Sequence, residues 1–334
     1  MRLEATATSM SWIPSEIVTG PLRAGFETGL THYDPPPPDR LGPGDVERLR
    51  DADLFRFANV LAGWADVEDG VVVAAGFDES SGLRIGVTRL QVGPVGATFR
   101  AGRLPTVRRE PEGIGPAEVR LVQTVGGRTG APLPRPVPHR QLVQWSAPVV
   151  WSTLALTLRA DGSSDVELTG ASSFPRHWVY GTDGRLVAKT GVTDQAGWVR
   201  NSFGARTPWG EQDSAALVVE AESDLERQMS HDIMRGGRPE VRRLRAGEVL
   251  TRQGEAGDEL FLLLDGVLEV SVDGTALAQV GPGAVLGERA LLEGGTRTSS
   301  LTAATKVAVA VARRDAVDLD RLRVLADDHR REDG

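Results

Sequence analysis

Short apolar segments separated by glycine turns constrain the fold of this sequence more than any other feature. Val267–Val272 alternates apolar and polar residues and is followed by Asp273-Gly274. Such alternation is typical of a half-buried strand, and an Asp-Gly pair accepts the positive φ that a tight hairpin requires. The 39 glycines and 20 prolines among 334 residues supply turn residues for many similar segments. The pattern predicts a mainly β protein with few helices.

The N-terminal two-thirds of the chain repeats this pattern, and its spacing predicts a sandwich or an open barrel. The predicted strands are Val71–Ala75, Leu83–Val92, Glu118–Thr124, Leu142–Trp145, Val150–Leu158, Asp165–Leu168, His177–Tyr180 and Leu186–Thr190. The last two strands are joined by Asp183-Gly184, which predicts a hairpin turn.

Helical periodicity occurs in three places, at Asp45–Trp64, Ser214–Arg235 and Ala316–His329. A tetraproline run, Asp34–Asp39, favours an extended connector on the surface. Since the length suits two domains, we expect four parts in sequence. They are an N-terminal segment with a proline-rich linker (1–40), a β-rich domain (41–213), a connecting helix (214–237) and a C-terminal domain (238–334).

Composition argues against several classes of function. The net charge is −8 and no stretch is dense in lysine and arginine, so we expect no nucleic acid partner. The sequence lacks an apolar run of membrane-spanning length, and Met1–Ile17 lacks the apolar core of a secretory signal. We therefore expect a cytoplasmic protein without a membrane partner. The absence of cysteine excludes disulfides and thiolate catalysis, and the five histidines show no zinc-binding spacing.

Candidate ligand chemistry lies between Gly287 and Ser299. A glycine before a short helical segment leaves backbone N–H groups free to face an anion. Arg297 follows Glu288 by nine residues and can return to the same place if Gly294-Gly295 turns the chain. Arg297 would then pair with a phosphate, and Glu288 would accept hydrogen bonds from sugar hydroxyls. The predicted ligand-binding residues are Gly287, Glu288, Ala290, Leu291, Arg297, Thr298 and Ser299.

The region from about Asp224 to Arg331 resembles the cyclic nucleotide-binding domains of catabolite-activator proteins and protein-kinase regulatory subunits. The motifs that carry the resemblance are Ala246-Gly247-Glu248, Gln253-Gly254-Glu255, Gly257-Asp258, Gly266 and Gly287-Glu288 through Arg297. The resemblance implies a jelly-roll-like β-barrel flanked by helices, with cAMP or cGMP as the ligand and no other cofactor. It also implies that Glu288 binds the ribose 2′-hydroxyl and Arg297 the exocyclic phosphate oxygens.

This sequence departs from the family pattern at three positions. Leu286 stands where an aromatic residue is usual, Arg289 where an aliphatic residue is usual, and Ser299 where alanine is common. Thr298 follows the arginine, and in the family a hydroxyl residue at this place can contact the base. Catabolite-activator regulators continue into a DNA-reading helix-turn-helix, whereas Asp327–Gly334 is too short for one. We therefore expect no DNA-binding output.

Three functions remain open at this point. The first is an intracellular cyclic-nucleotide sensor that relays binding to the N-terminal β domain. The second is a structural barrel that binds no ligand and assembles a homo-oligomer or holds a protein partner through the N-terminal domain. The third is a nucleotide-regulated enzyme, in which His177 would work with Asp183 or Asp194. No residue is predicted to be catalytic.

Overall fold

A computed structural model of the protein describes residues 1–92, 94–130, 133–136, 143–195, 197–198, 208–209, 218–220, 233, 239–292, 294–314, 319–320 and 322–324. The chain forms two compact units. The N-terminal unit comprises Met1–Ala188 and Asp194–Ala216, and the C-terminal unit comprises Lys189–Thr193 and Leu217–Gly334. Strands predominate in both units, which confirms the predicted mainly β fold class.

The described part of the N-terminal unit contains strands, three short helical segments and the helical residues 195 and 197–198, joined by turns and loops. The strands are β1 (Arg2–Trp12), β2 (Phe57–Glu68), β3 (Val71–Phe77), β4 (Gly82–Ile85), β5 (Val87–Val92), β6 (Val95–Arg100), β7 (Gly102–Arg103), β8 (Val107–Arg108), β9 (Glu112–Gly115), β10 (Glu118–Arg128), β11 (Leu133–Pro136), β12 (Val143–Ser146), β13 (Val149–Arg159), β14 (Ser164–Ala171), β15 (Arg176–Tyr180) and β16 (Leu186–Thr190). The helical segments are a 3-10 turn (Ser15–Ile17), α1 (Pro21–Glu27) and α2 (Asp45–Asp51).

Two antiparallel sheets form the body of this unit. One has the order β16-β15-β1-β2-β3, with β4 also paired to β2. The other has the order β14-β13-β10, and the far side of β10 pairs in turn with β7, β8 and β9. Phe57 and Leu83 pack with Val125 and Val150 in a buried cluster that joins residues of both sheets. The hydrophobic core therefore lies between the sheets, as in a sandwich.

Polar side chains in this core are satisfied across the sheets. Gln123 on β10 donates from Nε2 to Asn59 Oδ1 at 2.9 Å and to the Val60 carbonyl at 2.8 Å. Asn59 on β2 donates from Nδ2 to the Ser152 carbonyl on β13 at 3.1 Å. Because an unpaired buried amide is costly, these bonds favour one register of the two sheets over others.

Residues 1–40 are not separate from the β-rich domain, contrary to the prediction. β1 lies in the middle of its sheet, where it pairs with both β2 and β15. Asp34, at the start of the proline run, is buried against Arg56 and accepts the Ile13 N–H at 2.8 Å. The run is therefore anchored to the N-terminal unit and does not link two domains.

The helix predicted for Asp45–Trp64 is also wrong beyond its first two turns. α2 ends at Asp51, and Phe57 begins β2. Every residue from Phe57 to Gly63 is buried. A strand covered on both faces carries a continuous apolar run, and such a run contains helical as well as strand spacing.

The C-terminal unit is a small barrel of two sheets, which confirms the predicted barrel. The strands of the barrel are β18 (Glu240–Leu244), β19 (Val249–Thr251), β20 (Glu259–Asp265), β21 (Leu268–Val272), β22 (Thr275–Val280), β23 (Val285–Leu286), β24 (Ser300–Ala303) and β25 (Val307–Arg313), and its helix α3 is Glu288–Leu292. The strand β17 (Val218–Glu220) belongs to neither sheet of the barrel. The sheet orders are β18-β25-β20-β23 and β19-β24-β21-β22. Along β20, Leu260 and Leu262 enter one apolar cluster, and Phe261 and Leu263 enter another.

The other two predicted helices are described only in part. Within the predicted connecting helix, Val218–Glu220 is a strand and Ile233 is helical, and the rest lies outside the described residues. In the predicted last helix, residues 319–320 and 322–324 are helical, and the remainder likewise lies outside. Leu322 is fully buried in the cluster that contains Leu260, so this helix packs on the barrel.

Candidate functional site

The predicted cassette folds as a turn, a short helix and a return. Gly287 follows β23 with φ +90°, a conformation that favours glycine, and α3 begins at Glu288. Gly294 and Gly295 both have positive φ, and the Gly295 N–H donates to the Ala290 carbonyl at 2.7 Å. The two glycines therefore turn the chain back, as the sequence predicts.

Backbone hydrogen bonds fix Arg297 after this turn. Its N–H donates to the Glu255 carbonyl, and its own carbonyl accepts the Gly254 N–H, both at 2.8 Å. The Gly257 N–H donates to the Gly295 carbonyl at 2.8 Å. These bonds join the returning chain to the loop before β20. The side chain of Arg297 is consequently directed inward and is only 6% exposed.

The guanidinium of Arg297 lies against β20. Nη1 donates to the Glu259 carbonyl at 2.9 Å, and Cζ lies 5.0 Å from the centre of the Phe261 ring, within range of a cation–π interaction. Space for this side chain depends on two glycines. A Cβ on Gly257 would overlap Nε of Arg297, and a Cβ on Gly287 would lie 2.5 Å from Nη1. Both glycines are therefore required for this position of Arg297.

Burial and neighbouring charges act on Arg297 in opposite directions. Burial lowers the pKa of the guanidinium, whereas the negative charges of Glu259, Asp258 and Glu288 raise it, and the positive charge of Arg242 lowers it again. A buried arginine nevertheless stays charged at physiological pH, because its intrinsic pKa is so high. A bound anion would compensate the desolvation of this cation, so the arrangement suits a phosphate.

The other predicted ligand-binding residues differ in burial. Glu288 is 8% exposed and lies in the first turn of α3, where its charge acts on Arg297. The side chains of Ala290 and Leu291 are buried in the barrel, and only their backbone N–H groups can face a ligand. Thr298 is exposed and Ser299 half-buried, directly after Arg297.

Three residues of this site escaped the sequence prediction. They are Glu259 and Phe261 on β20, which contact the Arg297 guanidinium, and Arg242 on β18, which interacts with both of them. Gly257 belongs to one of the motifs that carry the family resemblance, but the sequence alone does not place it in the site. The available signal was the pair Gly257-Asp258 directly before a buried strand, which marks the loop that receives Arg297.

The environment of His177 does not suit the catalytic role that the enzyme hypothesis gives it. His177 is fully buried on β15, its Nδ1 lies 2.7 Å from Ser11 Oγ, and its Nε2 lies 2.9 Å from the Ser172 carbonyl. Burial lowers its pKa to about 4. Asp183 and Asp194 cap the backbone N–H groups of Arg185 and Gly197. His177 therefore has a structural role, and no contact joins it to either aspartate among the described hydrogen bonds.

The family model for the cyclic nucleotide-binding domain matches residues 241–318. This range contains β19 to β25, all of β18 except Glu240, and the cassette with Glu288 and Arg297. Residues 241–318 form a cyclic nucleotide-binding domain. This domain occupies the barrel of the C-terminal unit, and it confirms the family resemblance drawn from the motifs.

Known proteins resemble the chain over this domain. The cGMP-dependent protein kinase egl-4 of Caenorhabditis briggsae is 45% identical over 65 residues, which are 20% of this chain and 9% of the kinase. The cyclic nucleotide-gated potassium channel mll3241 of Mesorhizobium japonicum is 38% identical over 69 residues, 21% of this chain and 19% of the channel. The chain thus spans less than a fifth of the length of these curated relatives.

Among solved structures, the chain is similar to a cyclic nucleotide-binding-like protein from Brucella abortus. The identity is 28%, the TM-score is 0.24, and the match covers 28% of this chain and 82% of that chain.

Two further features are absent from the described part of the chain. No group of three or more histidine, cysteine, aspartate or glutamate residues there is placed to hold a metal ion. None of the helices formed by these residues is long and apolar enough to cross a membrane.

Proposed function

We propose that this protein is an intracellular sensor that binds cAMP or cGMP in the C-terminal barrel and relays binding to the N-terminal unit. The observation that carries the proposal is the buried guanidinium of Arg297, which is held by the Glu259 carbonyl and on which the charge of the buried Glu288 acts. A cyclic nucleotide offers both groups a partner. Its phosphate would pair with Arg297, and its ribose hydroxyl would donate to Glu288.

The comparisons support the class of ligand and leave the base open. One relative is named a cGMP-dependent kinase and another a cyclic nucleotide-gated channel. In this chain Thr298 and Ser299 lie after Arg297 with exposed or half-buried side chains, so we place them at the base end of the ligand. The backbone N–H groups of Ala290 and Leu291 would face the phosphate in the first turn of α3.

Calorimetric titration of the full chain with cAMP and with cGMP tests the proposal. We expect one of the two nucleotides to bind with one molecule per chain. Arg297→Lys keeps the charge but loses the planar fork, so the affinity should fall at least about tenfold. Arg252→Lys is the matched control, because Arg252 is an exposed residue of the same barrel, and its affinity should stay unchanged.

A second variant separates the position of Arg297 from its chemistry. Gly257 does not have a positive φ, and a Cβ there meets only Arg297 among its three nearest contacts. Gly257→Ala should therefore displace the guanidinium and weaken nucleotide binding at least about tenfold, while the barrel stays folded. If neither nucleotide binds the unaltered chain at millimolar concentration, the sensor function is excluded. In that case, a molecular mass in solution that rises with protein concentration would favour the structural role in assembly.

A further inference from the structure

A second arginine is tied to the residue that holds Arg297. The main-chain carbonyl of Glu259 accepts a hydrogen bond from Arg297 Nη1, and its carboxylate accepts hydrogen bonds from Arg242. The Arg242 contact is bidentate, with Nη1 to Oε2 at 3.2 Å and Nη2 to Oε1 at 3.1 Å. A bidentate pair of this kind holds the two side chains in a defined geometry and is stronger than a single hydrogen bond. Glu259 therefore links β18 to the candidate phosphate site.

The two arginines also share an aromatic neighbour. Cζ of Arg242 lies 5.7 Å from the centre of the Phe261 ring, on which Arg297 also rests. Among the charges that act on Arg297, Glu259 is the strongest, and Arg242 opposes it. Thus the net field at Arg297 depends on whether Glu259 is neutralised.

We propose that Arg242 is a positioning residue of the nucleotide site, which neutralises Glu259 so that Arg297 presents its positive charge to the ligand. The inference rests on the proposed function and names a residue beyond the cassette. Without Arg242, the Glu259 carboxylate would be an uncompensated anion whose charge acts on Arg297. It would repel the phosphate and compete with it for the guanidinium.

This arrangement predicts opposite effects for the two partners. Arg242→Ala removes the positive charge and exposes the carboxylate, so nucleotide affinity should fall about three- to tenfold. Glu259→Gln keeps the size of the side chain and the main-chain carbonyl that holds Arg297. Because it removes the negative charge and leaves Arg242 charged, affinity should rise, with a steeper decrease in salt. The double variant should bind within about twofold of the unaltered chain.

The test is calorimetry with cAMP and cGMP on all variants at low and at high salt, with unfolding midpoints measured in parallel. Arg243→Ala is the matched control. It removes the same charge from the next residue of β18, whose side chain is exposed. Its affinity should stay within about twofold of the unaltered chain, because an exposed charge is screened by solvent.

Two results would overturn the inference while leaving the proposed function intact. In the first, Arg242→Ala binds nucleotide as well as Arg243→Ala does. In the second, Arg242→Ala and Glu259→Gln both weaken binding and the double variant is weaker still, as expected if the pair only stabilises the barrel. Failure of the unaltered chain to bind either nucleotide would overturn both the inference and the proposed function.

Discussion

At the scale of single residues, burial controls the charge state of His177. Its two ring nitrogens face Ser11 Oγ and the Ser172 carbonyl. A neutral ring with its proton on Nε2 satisfies both contacts, because Nε2 then donates to the carbonyl and Nδ1 accepts from the hydroxyl. Protonation would place a charge in a fully buried site, which is why the pKa is lowered from 6.5 to about 4.

This shift predicts an acid-sensitive contribution to stability. The unfolded chain takes up the proton more readily than the folded chain. The titration of His177 therefore does not affect the free energy of unfolding above pH 6.5. It lowers that free energy as the pH falls from 6.5 to about 4, and below this the effect levels off. The full loss amounts to roughly 3 kcal/mol. Denaturant unfolding of the unaltered chain and of His177→Gln, followed from neutral pH to about pH 4, should show this difference in slope. His32→Gln, at a half-exposed histidine, is the control. Parallel pH profiles for His177→Gln and the unaltered chain would contradict the assignment.

The sequence allowed the residues of one continuous motif to be predicted, but not their partners on other strands. Glu288 and Arg297 belong to the same cassette, and the glycines between them predict the turn that returns the chain. Arg242 and Glu259 come together because β18 and β20 both pair with β25. Their meeting depends on the register of three strands, which local patterns do not specify.

At the scale of elements, the two sheets of the N-terminal unit approach closely where β2 crosses β10. Gly63 on β2 lies over Leu121 on β10, and a Cβ on Gly63 would overlap Leu121 Cδ1. Leu121 is fully buried. The glycine is therefore required by close packing between sheets, since its φ is not positive.

Overpacking at this crossing should destabilise the N-terminal unit. Gly63→Ala is expected to cost about 1–3 kcal/mol of unfolding free energy. Adding Leu121→Val removes the overlapping methyl position, so the double variant should recover at least about 1 kcal/mol relative to the sum of the single changes. Denaturant unfolding measures the cycle. Gly96→Ala is the control, because its Cβ would make only an ordinary contact at 3.6 Å. Strictly additive changes would show that β2 and β10 do not meet at these residues.

The type of an element could be predicted where a turn motif marked its end. The prediction was missing or wrong where a strand was buried on both faces. The Asp273-Gly274 and Asp183-Gly184 hairpins form as predicted, with positive φ at both glycines. By contrast, β1 carries buried polar residues such as Ser9 and Ser11, so its sequence gives little apolar alternation to indicate a central strand. The start of β2 has the opposite character, because its apolar residues, interrupted by Asn59, are compatible with a helix as well as a strand.

At the scale of the whole molecule, a sensor requires that ligand binding to one unit changes the conformational equilibrium of the other. The contacts of the chain divide into the N-terminal and the C-terminal unit, each with its own buried core. A ligand stabilises the state that it binds, by about 2.7 kcal/mol at a hundredfold excess over Kd. It affects the other unit only if its affinity depends on the conformation of that unit.

Coupling is reciprocal, so a relay can be tested by a change in the N-terminal unit. If the units are coupled, Gly63→Ala, which strains the N-terminal unit far from Arg297 in sequence, should change nucleotide affinity by a measurable factor. Nucleotide should in turn alter hydrogen exchange within Met1–Ala188, and Arg297→Lys should abolish that response. Because Gly63→Ala strains the unit by about 1–3 kcal/mol, the affinity can change by at most roughly five- to 150-fold. The relay would be contradicted if Gly63→Ala left the nucleotide affinity unchanged and nucleotide altered hydrogen exchange only within Leu217–Gly334. The barrel would then bind its ligand without changing the conformation of the N-terminal unit.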